Sequence, residues 1–288
     1  MSELLIPRLA IIGVGSIGTS LALALKKAQV VGEVVGCGRS QDNLEVAQQR
    51  GAIDRYTLDA SEAVQGADVV FLAVPMGSMG AILKQIAPAL SETSIVTDGG
   101  SSKTSIIQEA EQALRHFNRF VPGHPIAGTE RSGAEAGISD LYQDRRVLLT
   151  PTPSTDSSAT EWVTKMWQAA GATVETMSAE HHDQVLAATS HLPHMLAFGL
   201  VDSLARMDDV DEIFRYAAGG FRDFTRIASS DPVMWRDICL NNRDALLDAM
   251  QRYVKDVRDI YKAVDEADGD TLLEIFQRAK TTRDKFCN

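Results

Sequence analysis

Short apolar runs alternate with amphipathic segments through the first half of the chain. Several of the runs contain no charged residue, as strands buried on both faces of a sheet require, and the segments between them repeat apolar residues at helical spacing. This alternation predicts a mostly parallel sheet covered by helices. The predicted strands are 9–12, 34–36, 69–74, 94–97, 119–121, 147–149 and 173–176, and the predicted helices are 16–28, 41–50, 77–87, 103–116 and 157–170.

The pattern changes after Met177, where turn clusters become sparse and only helical periodicity remains. We therefore predict two domains, an α/β domain over 1–177 and an all-α domain over 178–288. Apolar residues recur along one face near the end of the chain, and this face is wider than one surface helix needs. We expect a second copy of the chain to cover it, with packing inside the chain as the alternative. The residues of this apolar stripe are Leu246, Met250, Tyr253, Val257, Ile260 and Val264.

The composition of the chain argues against several kinds of binding partner. The 288 residues carry a formal charge of −11, which opposes binding to nucleic acid or to an anionic membrane. No apolar run approaches the ~18 residues of a membrane span, and the first residues lack the pattern of a signal peptide. The three cysteines, Cys37, Cys239 and Cys287, share no disulfide or metal spacing. We expect a cytoplasmic protein with neither a disulfide nor a bound metal.

A glycine-rich turn follows the first predicted strand, in the stretch "LAIIGVGSIGTSLALALKKA". Its glycines have G-x-G-x-x-G spacing and lie between a strand and a helix. In this context the motif indicates a dinucleotide-binding turn. The first glycine permits a tight turn, the second lets the backbone approach a pyrophosphate, and the third allows close packing of helix on strand. The predicted cofactor-binding residues are Gly13, Gly15, Ser16, Ile17 and Gly18; the alternative is a turn that only connects two elements.

The end of the second strand bears on which dinucleotide binds. An NAD site carries an Asp or Glu there, about 20 residues after the turn, to bind the ribose 2′-hydroxyl. Here the position holds Gly38, followed by Arg39 and Ser40, which offer a guanidinium and a hydroxyl to a 2′-phosphate. We therefore expect NADP. The alternative is that Arg39 is a solvated loop residue and that Asp42 reaches back to the ribose.

A histidine stands between glycine and proline in "FVPGHPIAGTE" (120–130). The segment follows a predicted strand, so we expect a turn at the carboxyl end of the sheet, where α/β proteins bind ligands. A hydroxyl that gives up hydride to a nicotinamide must also lose its proton, and an imidazole is suited to accept it. His124 is the predicted general base. Ser101, in "TDGGSSK", is predicted to reach the same place, unless it or Ser102 caps the next helix.

The helical half offers candidate substrate ligands. "TSHLPHMLAF" places His191 and His194 three residues apart around Pro193, which should kink the helix. Lining a pocket fits this pair better than binding a metal, since no carboxylate pattern accompanies it. In "GGFRDFTRIASSDPVMWRD" (219–237), Arg226 can bind a carboxylate with two hydrogen bonds. Each arginine of this region could instead form a surface ion pair; the others are Arg215, Arg222 and Arg236.

Taken together, these motifs resemble those of the prephenate/arogenate dehydrogenase family of tyrosine biosynthesis. The resemblance covers nearly the whole chain and rests on five motifs in order: "GVGSIG", "DGGSSK", "GHPIAGTE", "SHLPH" and "DFTRIASSDPVMWRD". It implies a Rossmann-like N-terminal domain over 1–177 that binds the dinucleotide. It also implies a helical domain over 178–288 for substrate binding and dimerisation, with the active site between the two.

The resemblance further implies oxidation of the ring hydroxyl of a cyclohexadiene acid, with loss of the ring carboxylate as carbon dioxide. It assigns His124 to the ring hydroxyl, Ser101 to orienting that hydroxyl and the nicotinamide, and Arg226 to a substrate carboxylate. His191 and His194 match pocket residues.

Two departures from other family members refine the expectation. Gly38 differs from the acidic residue of NAD-using members and resembles NADP-dependent arogenate dehydrogenases, which favours arogenate over prephenate. The chain also offers no room for the mutase or regulatory domains that some members carry. Any feedback by tyrosine is therefore expected at the active site.

Two other interpretations remain open from sequence. β-Hydroxyacid dehydrogenases and imine reductases share this architecture, but the former depend on a lysine in the helical part, and no lysine lies between Lys165 and Lys255. A non-catalytic NADP-binding protein would bind cofactor without needing His124. The convergence of His124, Ser101 and Arg226 with a nucleotide turn argues against it.

Overall fold

The computed structural model describes residues 4–128 and 131–286. A six-stranded parallel sheet in the order β3-β2-β1-β4-β5-β6 forms the first half, the strand order of a dinucleotide-binding fold. Its strands are β1 (Ile6–Ile12), β2 (Val31–Cys37), β3 (Arg55–Thr57), β4 (Val69–Leu72), β5 (Ile95–Asp98) and β6 (Phe120–Val121). The helices around it are α1 (Ser16–Lys27), α2 (Gln41–Gln49), α3 (Ala60–Ala63), α4 (Met76–Ile86), α5 (Thr104–Ala113) and α6 (Ser157–Ala169).

The central strands are apolar because helices cover both faces of the sheet. Every residue of β4 and β5 is buried. On one face, Trp167 of α6 packs edge-on against Phe71 of β4, with ring centroids 5.6 Å apart, and against Tyr142, at 5.0 Å. These contacts hold α6 against the sheet. The predicted α/β architecture with a mostly parallel sheet is confirmed.

A second sheet contains β7 (Gly123–Pro125), β8 (Arg146–Leu149) and β9 (Thr173–Thr176), in that order. β7 runs antiparallel to β8, and His124 lies opposite Leu148. The prediction of a turn at His124 was therefore wrong. Glycine and proline disfavour the interior of a sheet, but β7 is an edge strand, where both are tolerated. The short polar strand β3 was also missed, whereas all seven predicted strands are present within a few residues.

The remainder of the chain is helical, as predicted. It contains α7 (Ala179–Leu186), α8 (Leu192–Ala205), α9 (Val210–Arg215), α10 (Gly219–Thr225), α11 (Pro232–Asn241), α12 (Arg243–Asp265) and α13 (Gly269–Phe286). A π-helical turn, Ala187–His191, joins α7 to α8. Pro193 follows it after one residue, in the first turn of α8. Because proline lacks an N–H and crowds the carbonyl four residues back, this is where an irregular turn relieves the strain.

No helix within the described parts of the chain is both long and apolar enough to cross a bilayer.

The apolar stripe of α12 is only partly covered within one chain. Leu246 is buried, but Tyr253 and Val257 are each 40% exposed and Val264 is 62% exposed. On α13, Phe276 is 57% exposed. Exposed apolar residues that recur along one helix face are typical of an interaction surface.

Candidate active site

The glycine turn between β1 and α1 has the geometry of a phosphate-binding loop. Gly13 has a φ of +97°, and a Cβ there would lie 2.3 Å from the Ala73 carbonyl oxygen. At Gly18, a Cβ would lie 2.4 Å from the Gly13 carbonyl oxygen. Neither position accepts another residue without rearrangement. Above Gly15 nothing lies within 4 Å of such a Cβ, which leaves room for a ligand at the amino end of α1.

The end of β2 carries the residues predicted to choose the dinucleotide. A Cβ at Gly38 would meet only Leu44 at 3.5 Å, an ordinary contact, so the absence of a carboxylate there is not imposed by space. Arg39 is exposed. The Ser40 hydroxyl caps α2, accepting from the Asn43 backbone N–H at 3.3 Å. Asp42 lies exposed in the first turn of α2.

A buried ion pair ties the end of β5 to the start of β7. Lys103 Nζ lies 2.5 Å from Asp98 Oδ2 and donates to the Gly123 carbonyl at 2.6 Å. Asp98 Oδ1 accepts from the Gly123 N–H at 3.1 Å. Both charged side chains are fully buried. The pair therefore fixes the residue next to His124 against the loop that contains Ser101.

That loop also lies beside the glycine turn. A Cβ on Gly99 would be 3.6 Å from Cγ2 of Ile17, a residue of the predicted cofactor site. Ser101 belongs to the same loop and is half-buried. A Cβ on Gly123 would lie 3.0 Å from the Asp98 carbonyl oxygen, so the glycine turn and β7 lie on either side of the Ser101 loop and next to it.

The structure does not support the alternative role of Ser101 and Ser102 as helix caps. Neither hydroxyl caps α5; Asp183 of α7 does so instead. Its carboxylate accepts from the backbone N–H groups of Lys103 and Thr104 at 2.8 and 2.9 Å. Asp183 therefore joins the helical half to the loop of Ser101.

His124 belongs to a chain of hydrogen-bonded side chains. Its Nδ1 lies 2.9 Å from Nε2 of His182, and Nδ1 of His182 lies 2.8 Å from Oδ1 of Asp183. His182 is fully buried, while His124 is half-buried. Desolvation, then the nearby His182 and Lys103, hold the pKa of His124 well below its ordinary value. The imidazole is therefore neutral at pH 7 and able to accept a proton.

His191 presents a buried donor. The Asp183 carbonyl can only accept, so the Asn242 atom 2.8 Å from it is the amide nitrogen. The same nitrogen lies 3.0 Å from Nδ1 of His191, which must accept. Burial lowers the pKa of His191 to about 4, so the ring is neutral and its one proton is on Nε2. That Nε2 is buried and has no partner among the described residues.

His194 lies flat against Trp235, with ring centroids 3.6 Å apart and 19° between the planes. Its Nδ1 donates to the Ser190 carbonyl at 2.8 Å. Burial, opposed by this hydrogen bond, lowers the pKa of His194, and the charge of Arg226 lowers it further. Arg226 is therefore near His194. The buried indole Nε1 of Trp235, like Nε2 of His191, has no partner within the described chain.

These histidines form one group, because each influences the next. Protonation of His191 would disfavour protonation of His124, and protonation of His194 would disfavour that of His191, as the charge of Arg226 does for His194. Two of the other arginines instead form ion pairs, Arg215 with Glu212 at 3.7 Å and Arg236 with Asp237 at 2.6 Å.

Residues 4–128 and 131–286 hold no group of three or more histidine, cysteine or acidic side chains placed to bind a metal. Thr129 and Glu130, the end of the "GHPIAGTE" motif, and Cys287 lie outside the described residues.

Sequence reasoning missed four residues of this site: His182, Asp183, Asn242 and Trp235. The signal for the first two was visible in "SAEHHDQ", where a serine cap precedes two histidines and an aspartate. Nothing in the sequence indicated that their partners lie about 60 to 80 positions earlier. Trp235 lies in the stretch 219–237, where only the arginines were assigned roles.

Comparison with known proteins bears on this site. The family model described as prephenate dehydrogenase, nucleotide-binding domain, matches residues 21–176, and that of the prephenate dehydrogenase dimerization domain matches residues 178–278. The cyclohexadienyl dehydrogenase of Zymomonas mobilis is 40% identical over 277 residues, covering 96% of this chain and 94% of that one.

Two solved structures share the whole architecture. Prephenate dehydrogenase from Aquifex aeolicus, in complex with hydroxyphenyl propionate and NAD+, superposes with a TM-score of 0.91 at 38% identity, covering 97% of this chain and 98% of that one. Synechocystis arogenate dehydrogenase superposes with a TM-score of 0.81 at 29% identity, covering 97% and 99%.

Proposed function

Because this chain belongs to the prephenate/arogenate dehydrogenase family, we propose that it carries out the oxidative decarboxylation of a cyclohexadiene acid in tyrosine biosynthesis. The ring hydroxyl is oxidised and the ring carboxylate leaves as carbon dioxide. The observation that carries this proposal is a neutral imidazole, His124, next to the loop that packs against the dinucleotide turn. The cytoplasmic location expected from the sequence stays a prediction.

The residues of the chain divide the chemistry among them. His124 accepts the proton of the ring hydroxyl, and Ser101 orients that hydroxyl and the nicotinamide by hydrogen bonding. Gly13, Gly15 and Gly18 shape the pyrophosphate site at the amino end of α1. When NADP is bound there, its nicotinamide accepts the hydride. Loss of the carboxylate then needs no further base, because aromatisation drives it.

Substrate binding uses the helical half. The free N–H groups of His191 and Trp235 are buried, and a buried donor without a partner is costly unless a ligand satisfies it. Carboxylate oxygens of the substrate are suitable acceptors, and Arg226 adds a guanidinium near them. His194, neutral and donating through Nδ1, offers Nε2 as an acceptor.

Product stoichiometry tests this function. Purified protein supplied with arogenate or prephenate and NADP should release one carbon dioxide for each nicotinamide reduced, with an aromatic product. A 4-keto product that retains the carboxylate would indicate a simple alcohol dehydrogenase instead.

We further propose NADP as the preferred cofactor and arogenate as the preferred substrate. The A. aeolicus relative is in complex with NAD+, so the proposal for this chain rests on its own residues, Gly38 without a carboxylate and Arg39 beside it. Preference for arogenate follows from the resemblance to NADP-dependent arogenate dehydrogenases.

Replacing Arg39 by Ala should raise the KM for NADP roughly 10- to 150-fold and change that for NAD much less. A hydrogen bond to a charged group contributes about 1.5–3 kcal/mol, and only NADP has the 2′-phosphate that Arg39 would meet. Steady-state kinetics with both cofactors measure this, and NAD is the internal control. Gly38→Asp, for which the structure has room, should add NAD activity at the expense of NADP. Equal effects of Arg39→Ala on the two cofactors would refute the assignment.

Replacing Arg226 by Gln should raise the KM for substrate roughly 10- to 150-fold and leave cofactor affinity unchanged, because a bidentate pair with a carboxylate is lost. Substrate KM and NADP Kd are the two measurements. Arg222→Gln, an exposed arginine on the preceding helix, is the control and should behave like the unaltered protein. Loss of both affinities in Arg226→Gln would indicate a structural role.

We propose a homodimer formed through residues 178–288. Half of the α12 stripe, Tyr253, Val257 and Val264, is exposed in one chain, and the matching family model is that of a dimerization domain. Val264→Glu should therefore shift the protein from dimer to monomer in sedimentation velocity, because a buried unpaired charge is costly at an apolar interface. Unaltered protein that sediments as a monomer at micromolar concentration would contradict the proposal.

A further inference from the structure

The proposed role of His124 requires a free lone pair on the nitrogen that faces the substrate, and this inference rests on that role. A neutral imidazole has one protonated and one unprotonated nitrogen. If the proton were on the substrate-facing atom, His124 would donate a hydrogen bond and could not accept a proton. The partners of its other nitrogen decide which tautomer forms.

Asp183 is the fixed end of the hydrogen-bonded chain. Backbone N–H groups of Lys103 and Thr104 hold its two carboxylate oxygens at 2.8 and 2.9 Å. Desolvation acts to raise the pKa of Asp183, but the hydrogen bonds from His182 and from these two N–H groups outweigh it and keep the pKa below its ordinary value. Asp183 is therefore an ionised carboxylate, which can only accept.

His182 passes the direction of this hydrogen bond on to His124. Its Nδ1 lies 2.8 Å from Asp183 Oδ1 and must carry a proton. Desolvation lowers the pKa of His182, so the ring is neutral and its Nε2 carries none. That bare nitrogen lies 2.9 Å from Nδ1 of His124. Two lone pairs facing each other at this distance would repel, so Nδ1 of His124 carries the proton and donates.

We propose that His182 and Asp183 are positioning residues that hold His124 with Nδ1 protonated and Nε2 free to accept the proton of the substrate hydroxyl. The rings of His124 and His182 meet at 63°, with centroids 5.1 Å apart, so His182 also fixes the rotation of the imidazole. The charged groups around them are Lys103, whose ammonium donates to the Gly123 carbonyl of β7, and Asp98, its ion-pair partner.

The arrangement also links the two halves of the chain. Asp183 and His182 belong to α7, whereas His124 belongs to β7 and the capped N–H groups belong to the start of α5. A shift of α7 would therefore misplace both the base and the loop of Ser101. Removing the hydrogen-bonded partner of a functional histidine costs roughly 10- to 100-fold at metal sites, and we expect a loss of similar size here.

The tautomers are measured directly by ¹⁵N NMR of protein labelled at its histidines, without substrate, at pH 7. We expect His124 and His182 each to show a protonated Nδ1 and an unprotonated Nε2. His124→Asn and His182→Leu assign the two signals by their disappearance. A His124 protonated on Nε2 would overturn the proposal, whether or not the protein is active.

Kinetics of matched variants give a second test. His182→Leu removes the acceptor and should lower kcat roughly 10- to 100-fold with little change in substrate KM. His182→Gln can place an amide oxygen where Nε2 was, and should recover much of that loss. His181→Gln, at the exposed neighbouring histidine, is the control and should be normal. Folded Leu and Gln variants with equal kcat would contradict the relay, whereas failure of the unaltered protein on every cyclohexadiene acid would contradict the function instead.

Discussion

Replacing His124 by Asn should lower kcat about 10²–10⁴-fold, the usual contribution of a general base, while fold and cofactor affinity persist. Asparagine can still donate a hydrogen bond to His182, so the loss falls on proton acceptance rather than on packing. Turnover is followed by the absorbance of reduced nicotinamide, and NADP binding by titration. A variant with near-normal kcat would end the assignment of His124 as the base.

The pH profile of the unaltered protein bears on the same residue. The pKa of His124 is well below the ordinary histidine value because of desolvation and the nearby His182 and Lys103. A base must be unprotonated to act, so activity should persist as the pH falls through ~6.5 and decline only below it. A decline centred at or above ~6.5 would mean that the environment of His124 is not the one described.

Replacing Lys103 by Met should destabilise the protein by about 3–5 kcal/mol, because it leaves the carboxylate of Asp98 buried without a countercharge. Urea unfolding measures the change. Burial lowers the pKa of Lys103, against the opposing effect of Asp98. Keeping both groups charged in the interior therefore costs free energy of folding. Its position explains why the chain retains it: the same ammonium binds the Gly123 carbonyl, next to His124.

A double variant isolates the ion pair from the loss of packing. Lys103→Met with Asp98→Asn removes both charges and should recover part of the stability lost in Lys103→Met alone. Recovery is incomplete because the backbone N–H groups of Gly100 and Gly123 donate to the two carboxylate oxygens, and the new amide NH2 would face one of them. Lys27→Met, at an exposed lysine of α1, should change the stability by less than about 0.5 kcal/mol. A double variant no more stable than the single one would show that hydrogen bonds to Gly123, rather than charge pairing, hold this region.

The sequence predicted elements whose pattern is local. The buried strands and the glycine turn were recovered because periodicity and glycine spacing follow from the chain itself. The turn expected at His124 was wrong because pairing with β8, more than 20 residues later, makes that segment a strand. Propensity gave no indication of this pairing, since glycine and proline fit an edge strand as well as a turn.

In the candidate site, too, local sequence predicted some residues, and only long-range contacts reveal the others. His124, Ser101 and the glycine turn were predicted from neighbouring residues, and their roles stay predictions. His182 and Asp183 were missed because their significance depends on contacts with β7 and the start of α5. Ser102 looked like a helix cap, but the cap of α5 comes from another domain's side chain, Asp183. Local capping rules cannot anticipate a cap that tertiary structure supplies.

Initial rates with arogenate or prephenate, each with NADP or NAD, test the central claim most directly. We expect turnover with NADP, faster with arogenate than with prephenate and slower with NAD. No turnover in any of the four combinations, with NADP binding intact, would contradict it and favour a binding protein that uses the dinucleotide site without catalysis.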